Sequence, residues 1–529
     1  MYIGTTLARL RAEEKMTQEQ FAEHFGVSQQ AVQKWESGAS TPDLDKLIAI
    51  SKHFGLSLDT LILGSDNRVR EETNRIMNIT PRYEIMHKWE LYSGNLATEY
   101  QQSVEEGLDI ELYKDVFSAA AKLPNGEVKK KLGDVLFDIV CSAKTREGYP
   151  YIEPSDLASI KELRASDPSA VLPENRPTDA LLENKIHGAW VGRMCGCLLG
   201  MAFETVRTNE LIPFLRETGN YPLHRYMLSS DIDPDRLSKY KFNFAIHAQA
   251  DRFHAMPADD DTNYTVLAQE IIRRYGRDFT PHQVAGAWLD LQKKNAYCTA
   301  ERIAYCNFVR GFVPPQSAMY QNPYREWIGA QIRCDYYGYI NPGDPERAAE
   351  MAWRDASISH TKNGIYGSMF ICAMIAAAAV TDDRELIVKS GLARIPRTSR
   401  LYKDVSDVLD CYRSGKPSSE CFAMIHERYD EYDGQGWCHA ISNSMIVAAA
   451  LLWGGGDYGK SICMAVETGF DTDCNGATVG SIVGMIIGID NIPDEWTKPI
   501  NDTLHTTIFG VGTVKISDRV KLTLEHIGK

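Results

Sequence analysis

Glycine recurs at every fourth position in two separate segments of this 529-residue chain. Four-residue spacing places residues on one face of a helix, and a glycine inside a helix costs about 1 kcal/mol relative to alanine. Close approach of another backbone compensates for that cost, so we predict two tightly packed helices that lie against each other. If they run antiparallel, Glu204 lies beside Asp471 and Asp473. The glycines are Gly188, Gly192, Gly196 and Gly200 in the first segment and Gly476, Gly480, Gly484 and Gly488 in the second.

Two acidic turns open apolar segments of the chain. Asp471 and Asp473 lie two residues apart at the start of the second glycine segment, and Asp259, Asp260 and Asp261 are consecutive. A single aspartate at such a position is usually a helix N-cap. Three adjacent carboxylates repel one another unless cations neutralise them, and oxygen ligands suit magnesium, calcium or manganese. The pair of turns therefore predicts a divalent metal site.

Composition limits the protein class. Hydrophobic residues make up 44% of the chain and charged residues 24%, as in globular proteins, and the length predicts two or three domains. A net charge of −14 argues against a general nucleic-acid coat but allows a local DNA-reading module. The 12 cysteines form no CxxC pair, which favours reduced thiols. With no signal peptide and no apolar run long enough to cross a bilayer, we expect a cytoplasmic protein without membrane contact.

Residues 1–64 carry helix-start signals at Thr17, with Gln20 three residues on, and at Ser28 after Gly26. The segments 17–22, 26–36 and 41–44 resemble the Cro/repressor-type helix-turn-helix family over most of this first domain. The resemblance implies a five-helix unit with its recognition helix at 28–35. The residues that it implies for DNA binding are Gln18, Ser28, Gln29, Gln30, Gln33 and Lys34.

Glutamine pairs with adenine edges and lysine with phosphate or guanine, which suits a recognition helix. The alternative is a solvated helix face used for protein–protein contacts. Residues 1–64 contain six Lys/Arg against eight Asp/Glu, a net charge of −2, so one copy gains little from counterion release. We therefore expect weak DNA binding by one copy and a homodimer.

Residues 65–177 are predicted to form a helical connector that serves for dimerisation or as a spacer. No residue in it suggests chemistry. Two apolar stripes at helical spacing support the helices. The stripes are Leu112, Val116, Ala119, Ala120 and Leu123, and then Leu132, Val135, Leu136, Ile139 and Val140.

Residues 178–529 resemble the ADP-ribosylglycohydrolase family in the segments 188–200 with Glu204, 259–264, 359–366 and 469–475. The resemblance implies an all-α fold, two Mg²⁺ ions (with Mn²⁺ possible) and hydrolysis of a glycosidic bond to ADP-ribose or a related ribosyl compound. It implies Asp259, Asp260, Asp261, Asp471 and Asp473 as metal ligands, and Glu204 or Asp261 as the general base.

Two positions depart from the family pattern and bear on the number and identity of the metals. Asp259 replaces a hydroxyl residue and adds negative charge. Cys474 stands where many members have a ligating threonine, and a thiol is a poor ligand for magnesium. We interpret Cys474 as a packed small residue.

Further polar residues are candidates for substrate binding. The segment 359–366 precedes an alanine-rich helix, so its amides suit a phosphate or a ribose. His360 is either a ligand contact or a structural hydrogen-bonder, and Asn475 either caps its helix or touches substrate. Arg333 and Asp335 are predicted to pair structurally. The candidate substrate-binding residues are His360, Asn363, Gly364, Tyr366 and Asn475.

Two functions fit these features. The first is a metal-dependent ADP-ribosylglycohydrolase coupled to a DNA-binding module, whose partners are DNA and an ADP-ribosylated substrate or an ADP-ribose-like small molecule. The second is a ligand-sensing transcriptional regulator whose large domain binds a nucleotide-sugar without turnover. Intact acidic turns favour the enzyme, whereas Cys474 and the joined DNA module favour the sensor.

Overall fold

The computed structural model describes residues 2–56, 58–63, 81–164, 170–174, 177–241 and 249–527. Over these residues the chain is all-α, as predicted, with 28 α-helices and one short hairpin. It divides into two compact units, Met1–Arg82 and Tyr83–Lys529. The predicted three-part division stays a prediction, and its boundary at residues 64 and 65 lies outside the described residues.

The first unit has the five helices expected of it. The Thr17 hydroxyl accepts a hydrogen bond from the Gln20 amide (3.2 Å), and the Gln20 side chain accepts one from the Thr17 amide (2.8 Å), which completes a capping box. Ser28 caps the third helix through the Ala31 amide. The core includes Leu7, Phe21, Val32 and Trp35. The helices are α1 (Tyr2–Glu13), α2 (Gln18–His24), α3 (Gln29–Glu36), α4 (Leu44–Phe54) and α5 (Leu58–Leu63).

Three of the first four helices of the second unit share a small core around Leu96, Phe117 and Leu136, whereas the fourth packs Ile160 into the large core. They are bonded to the rest of the unit through buried polar groups. Arg325 donates to Glu99 (2.9 Å), and the Gln102 amide donates to the carboxylate of Glu326 (2.6 Å). The helices are α6 (Leu96–Glu105), α7 (Lys114–Ala121), α8 (Glu127–Ser142) and α9 (Leu157–Glu162).

The remaining helices surround one large apolar core. The hairpin strands pair antiparallel with Thr503 opposite Lys515, and the amide of Met256 bonds to the Thr503 carbonyl (2.8 Å). The elements are α10 (Asp179–Met201), α11 (Thr208–Glu217), α12 (Pro234–Lys239), α13 (Asp260–Tyr275), α14 (Pro281–Leu291), α15 (Thr299–Val309), α16 (Gln316–Met319), α17 (Gly329–Ile332), α18 (Asp335–Tyr339), α19 (Pro345–Ala356), α20 (Lys362–Ala378), α21 (Arg384–Leu392), α22 (Arg400–Arg413), α23 (Ser418–Arg428), α24 (Ala440–Gly454), α25 (Tyr458–Val466), α26 (Thr472–Ile487), α27 (Asp494–Thr497), β1 (Thr503–His505), β2 (Thr513–Lys515) and α28 (Ile516–Ile527).

The two glycine helices, α10 and α26, pack antiparallel with their backbones in contact, which confirms the prediction. A Cβ atom added at Gly196 would overlap the carbonyl oxygen of Gly476. At the end of α10, Gly200 leaves room for the backbone of Thr472 and Asp473. The antiparallel contact therefore places the C-terminal end of α10 against the first turn of α26. The other facing pairs are Gly188 with Gly484 and Gly192 with Gly480.

One predicted ion pair has different partners. Arg333 and Asp335 do not pair, because Arg333 bonds to Glu301 (2.8 Å) and Asp355, while Asp335 accepts from Arg193 (2.8 Å). Both groups are structural, but their partners come from other helices. Trp327, Tyr336, Tyr337 and Tyr339 belong to the core.

Across the described ranges, no helix combines the length and the apolar character needed to cross a lipid bilayer.

Candidate functional site

The two acidic turns meet at the paired ends of the glycine helices. Asp259 caps α13 by accepting from the Asp261 amide (2.9 Å), so the aspartate triplet occupies the first turn of that helix. Asp473 lies in the first turn of α26. Carboxylate oxygens of Asp259, Asp260, Asp261 and Asp473 all lie within 4.8 Å of one another. Residues more than 200 positions apart in the sequence thus form one acidic cluster.

The acidic cluster is electrostatically unfavourable without a cation. Burial, and then repulsion between neighbouring carboxylates, raises the pKa of Asp260 and Asp473 well above the usual range. Asp261 Oδ2 and Asp473 Oδ1 are buried and have no hydrogen-bond partner among the described residues. Unpartnered buried carboxylate oxygens are costly. The donor set therefore fits a hard divalent cation held by oxygen ligands.

Arg193, which the sequence analysis did not single out, holds one side of this cluster. It is fully buried on α10, donates to the carboxylate (2.9 Å) and backbone carbonyl of Asp261, and also bonds to Asp335. Its guanidinium fixes Asp261 Oδ1 and leaves Oδ2 unpaired. In the sequence, Arg193 stands out as the one charged residue in the apolar, glycine-rich segment 188–200, which indicates a buried ion pair.

Asp471 lies beside the cluster but outside the closest set. Its carboxylate accepts from the Cys438 thiol (3.0 Å), and it acts electrostatically on Asp259 and Asp473. The Asn475 side chain does not cap α26 but donates to Asn443 Oδ1 (2.7 Å). The metal role of Asp471 and the substrate role of Asn475 stay predictions.

Two buried thiols border the cluster. The Cys474 sulfur lies within 4.8 Å of carboxylate oxygens of Asp261 and Asp473, and the Cys197 thiol donates to Asp259 Oδ1 (3.4 Å). Burial and then the nearby carboxylates raise the pKa of both thiols well above the usual range, so both are protonated at neutral pH. As thiols rather than thiolates, they are packing groups and weak hydrogen-bond donors.

Glu204 follows α10 at the rim of the acidic cluster. Its side chain reaches solvent, but protein atoms crowd its carboxyl, Asp259 and Asp471 repel it, and together these effects raise its pKa to about 7. A carboxyl that titrates near neutral pH can either give or accept a proton. Glu204 is therefore the member of the site best suited to proton transfer.

The predicted substrate segment 359–366 belongs to a second, buried polar network. His360 bonds through Nδ1 to the Ser359 hydroxyl (2.8 Å), and burial and then Arg333 lower its pKa well below the usual range. Asn363 donates to Glu326 (2.8 Å). Tyr366 donates to a backbone carbonyl, and Gly364 lies against the carbonyl of Arg325. Their roles in substrate binding stay predictions.

The first unit presents the predicted recognition face on α3. Gln29, Gln30, Gln33 and Lys34 are exposed, while Val32 and Trp35 on the same helix are buried. Ser28 serves as the helix cap. Gln18 is part-buried and donates to Glu36 (2.8 Å), which Arg11 also binds, so its side chain links α2 to α3.

Comparison with known proteins agrees with both units. The family model described as ADP-ribosylglycohydrolase matches residues 178–522, and the model described as helix-turn-helix matches residues 7–61. The structure titled "ADP-ribosylglycohydrolase-related protein complex" is similar with a TM-score of 0.42 and 16% identity, over 66% of this chain and 99% of that one.

Two curated regulators share part of the sequence. The "HTH-type transcriptional activator BcrR" of Enterococcus faecalis is 36% identical over 87 residues, 16% of this chain and 43% of that protein. The "Uncharacterized HTH-type transcriptional regulator YqaE" of Bacillus subtilis (strain 168) is 32% identical over 74 residues, 14% of this chain and 64% of that protein. This chain thus spans less than two thirds of either regulator.

One family assignment follows from three observations: the antiparallel glycine helices, the acidic turns that meet at their ends, and the family match over residues 178–522. The chain belongs to the ADP-ribosylglycohydrolase family and carries a helix-turn-helix domain at its N-terminal end.

Proposed function

We propose that the protein is a metal-dependent hydrolase that cleaves an ADP-ribosyl or related ribosyl glycosidic bond, and that its helix-turn-helix binds DNA. The observation that carries the proposal is the acidic cluster with two unpartnered, buried carboxylate oxygens, Asp261 Oδ2 and Asp473 Oδ1. Family membership supports the same reaction class. The DNA unit would either place the activity on chromosomal sites or let the substrate regulate transcription.

The residues of the site have separate tasks in this proposal. Asp259, Asp260, Asp261, Asp471 and Asp473 would hold two Mg²⁺ ions, or Mn²⁺, which would supply Lewis acidity when bound. Glu204 takes a proton from the attacking water and returns it to the leaving group, as its pKa of about 7 allows. Glu204 is preferred over Asp261 as the base, because Asp261 is fully buried and bonded to Arg193.

The test is release of free ADP-ribose. The full-length protein is incubated with Mg²⁺ and ADP-ribosylated arginine or serine peptides, and separately with O-acetyl-ADP-ribose. We expect release with at least one of these substrates, and its loss in Asp260→Ala and Asp473→Ala. The matched control is Asp290→Ala, an exposed aspartate on α14, which keeps full activity. Absence of release from every substrate rejects the enzyme.

A second candidate function is a sensor that binds a nucleotide-sugar without turnover. The observation in its favour is Cys474, whose protonated thiol lies within 4.8 Å of carboxylate oxygens of Asp261 and Asp473. This alternative predicts saturable binding of ADP-ribose without hydrolysis and a change in DNA affinity on binding. Cys474→Thr then separates the two functions, because a gain of hydrolysis would identify the thiol as the block.

DNA binding is tested on the exposed face of α3. Gln29→Ala combined with Gln30→Ala removes side chains that suit adenine edges, and a good bidentate base contact is worth about 1–3 kcal/mol. We expect loss of a specific footprint, whereas the exposed Lys52→Ala on α4 keeps it. An unchanged footprint in the double variant would reject α3 as the recognition helix. We further propose that the DNA-binding form is a homodimer.

A further inference from the structure

Exposed apolar side chains are concentrated in one short part of the second unit. Of the 20 large hydrophobic residues exposed in the described part of the chain, six fall between residues 112 and 135. A concentration of exposed apolar groups marks an interaction surface in a globular protein. The six are Leu112, Val116, Leu123, Val128, Leu132 and Val135.

Three of these residues lie at helical spacing on α8, whose other face is buried. On α8, Val128, Leu132 and Val135 are 70%, 37% and 57% exposed, whereas Leu136 and Val140 are buried in the local core. Their spacing of four and three residues is the repeat of a helix–helix seam. The helix α8 is therefore apolar on two faces, one of which packs inside its own unit while the other faces solvent.

We propose that the outward stripe of α8 (Val128, Leu132 and Val135) pairs antiparallel with the same stripe of a second copy of this chain. The proposal deepens the proposed homodimer by assigning its surface, and it does not depend on the hydrolase. In an antiparallel two-fold pair, Leu132 of each copy packs against Val135 of the other, and each Val128 packs against Ile139 of the other. Ile139 is half-buried, so it can contribute to both faces.

Charged residues beside the α8 stripe indicate which partner binds there and in which direction the partner helix runs. Lys131 and Asp138 are exposed, lie seven residues apart and hold equivalent positions next to the apolar seam. Antiparallel pairing brings Lys131 of each copy next to Asp138 of the other, which gives two attractive pairs. Parallel pairing would place the two copies of each charge on opposite sides of the seam, so that Lys131 and Asp138 would not meet. The edge of the stripe is therefore complementary to itself only in the antiparallel arrangement.

The neighbouring segment around α7 repeats the spacing, with Val116 on the helix, Leu112 before it and Leu123 after it. Leu112, Val116 and Leu123 are 86%, 47% and 37% exposed at the same four- and three-residue spacing, if Ala119 is included. Asp115 and Lys122 stand seven residues apart beside that stripe, again with opposite charge. The self-complementary edge of α8, together with opposite charges seven residues apart around α7, favours a second copy over a partner of unrelated sequence.

The test is the association constant of the full-length protein, measured by sedimentation equilibrium over a micromolar concentration series. We expect a dimer whose dissociation constant rises roughly a hundredfold in Val128→Glu combined with Val135→Glu, because all four apolar layers of the seam lose one partner. Val309→Glu is the matched control, since Val309 is also 70% exposed, and it leaves the dimer unchanged.

Charge reversal tests the direction of pairing. Lys131→Glu alone, or Asp138→Lys alone, replaces two attractions by two repulsions and weakens the dimer about tenfold. The double reversal restores the original constant. A monomeric wild-type protein, a dimer that survives the double glutamate variant, or a double reversal that stays as weak as the single ones would each overturn the proposal. None of these outcomes bears on ADP-ribose release, so the hydrolase stands or fails separately.

Discussion

The second unit buries two groups of carboxylates, and they differ in what neutralises them. Where α6 meets the large core, Arg325 bonds to Glu99 (2.9 Å) and Glu106 (2.5 Å), and Lys362 also bonds to Glu106. Arg400 bonds to Glu326 (2.6 Å) in the same region. In the acidic cluster at the ends of the glycine helices, one arginine, Arg193, bonds to one of the four carboxylates.

The pKa values of the two groups move in opposite directions. Burial would raise the pKa of Glu106 and Glu326, but Arg325 and Lys362 beside the first and Arg400 beside the second lower both below the usual range. In the acidic cluster burial and repulsion act together, and the pKa of Asp260 and Asp473 rises. A buried carboxylate group that the protein neutralises is structural, whereas one that it leaves unneutralised is a candidate site for an external cation.

The largest effect is expected from breaking the neutralised group. Arg325→Met leaves Glu99 and Glu106 buried without their cation, and loss of one partner of a buried ion pair costs about 3–5 kcal/mol. Urea unfolding measures the change. Arg413→Met removes an exposed partner of Glu385 and serves as the control, with a change within about 0.5 kcal/mol. Equal effects in the two variants would contradict the structural role of Arg325.

The glycine contact that brings the acidic turns together comes next. Gly196→Ala forces α10 away from Gly476 and destabilises the protein by about 1–3 kcal/mol, as overpacking does. Gly286→Ala in α14 meets no atom within 4 Å and stabilises the helix by about 0.5–1 kcal/mol. A lower melting temperature in Gly196→Ala and a higher one in Gly286→Ala would support the tight contact between α10 and α26. A stabilising Gly196→Ala would show that the helices do not touch.

Removing a charge from the acidic cluster should stabilise the metal-free protein, whereas Arg325→Met destabilises it. In EDTA at pH 8, Asp473→Asn relieves repulsion and stabilises the protein by about 1 kcal/mol. With saturating Mn²⁺ the same variant is less stable than wild type, because it loses a ligand. Thermal melts with and without the metal measure both signs. A destabilised variant in EDTA would mean that the cluster is neutralised within the protein.

The two groups also give opposite pH dependence. In the metal-free protein, the carboxyl groups of the acidic cluster have raised pKa values, so their contribution to stability is fully present below about pH 4. This contribution is lost as the pH rises through the pKa values of the folded state, about 7 for Glu204. Lowered values at Glu106 and Glu326 stabilise above about pH 4.5, and that contribution is lost on acidification. In Asp260→Asn the fall of stability between pH 5 and 8 in EDTA should be shallower, as urea titrations at each pH would show. An unchanged slope of the unfolding free energy against pH would contradict the raised pKa values of the acidic cluster.

Local pattern predicted the parts of the fold that depend on neighbours in sequence. Capping residues at Thr17 and Ser28 marked helix starts, and four-residue glycine spacing required another backbone, which α26 supplies. The acidic turns were recognisable because three adjacent aspartates are hard to explain without a cation.

Partners across the fold could not be predicted in the same way. The pairing of Arg193 with Asp261, and of Arg333 with Glu301, joins residues far apart in sequence, and any acidic residue would have been an equal candidate. The apolar residues at 128–135 have the helical period that is typical of a buried face, yet they are exposed. Sequence periodicity alone does not distinguish a face that packs inside the unit from one that packs against a second copy.

The most direct measurement of the central claim is anomalous scattering from crystals of the full-length protein soaked in Mn²⁺. The account predicts anomalous density between the Asp259–Asp261 turn and Asp473, and its absence from Asp473→Ala crystals soaked in the same way. Wild-type crystals without any anomalous peak between these turns would contradict it, because the buried carboxylates would then be held together without a cation.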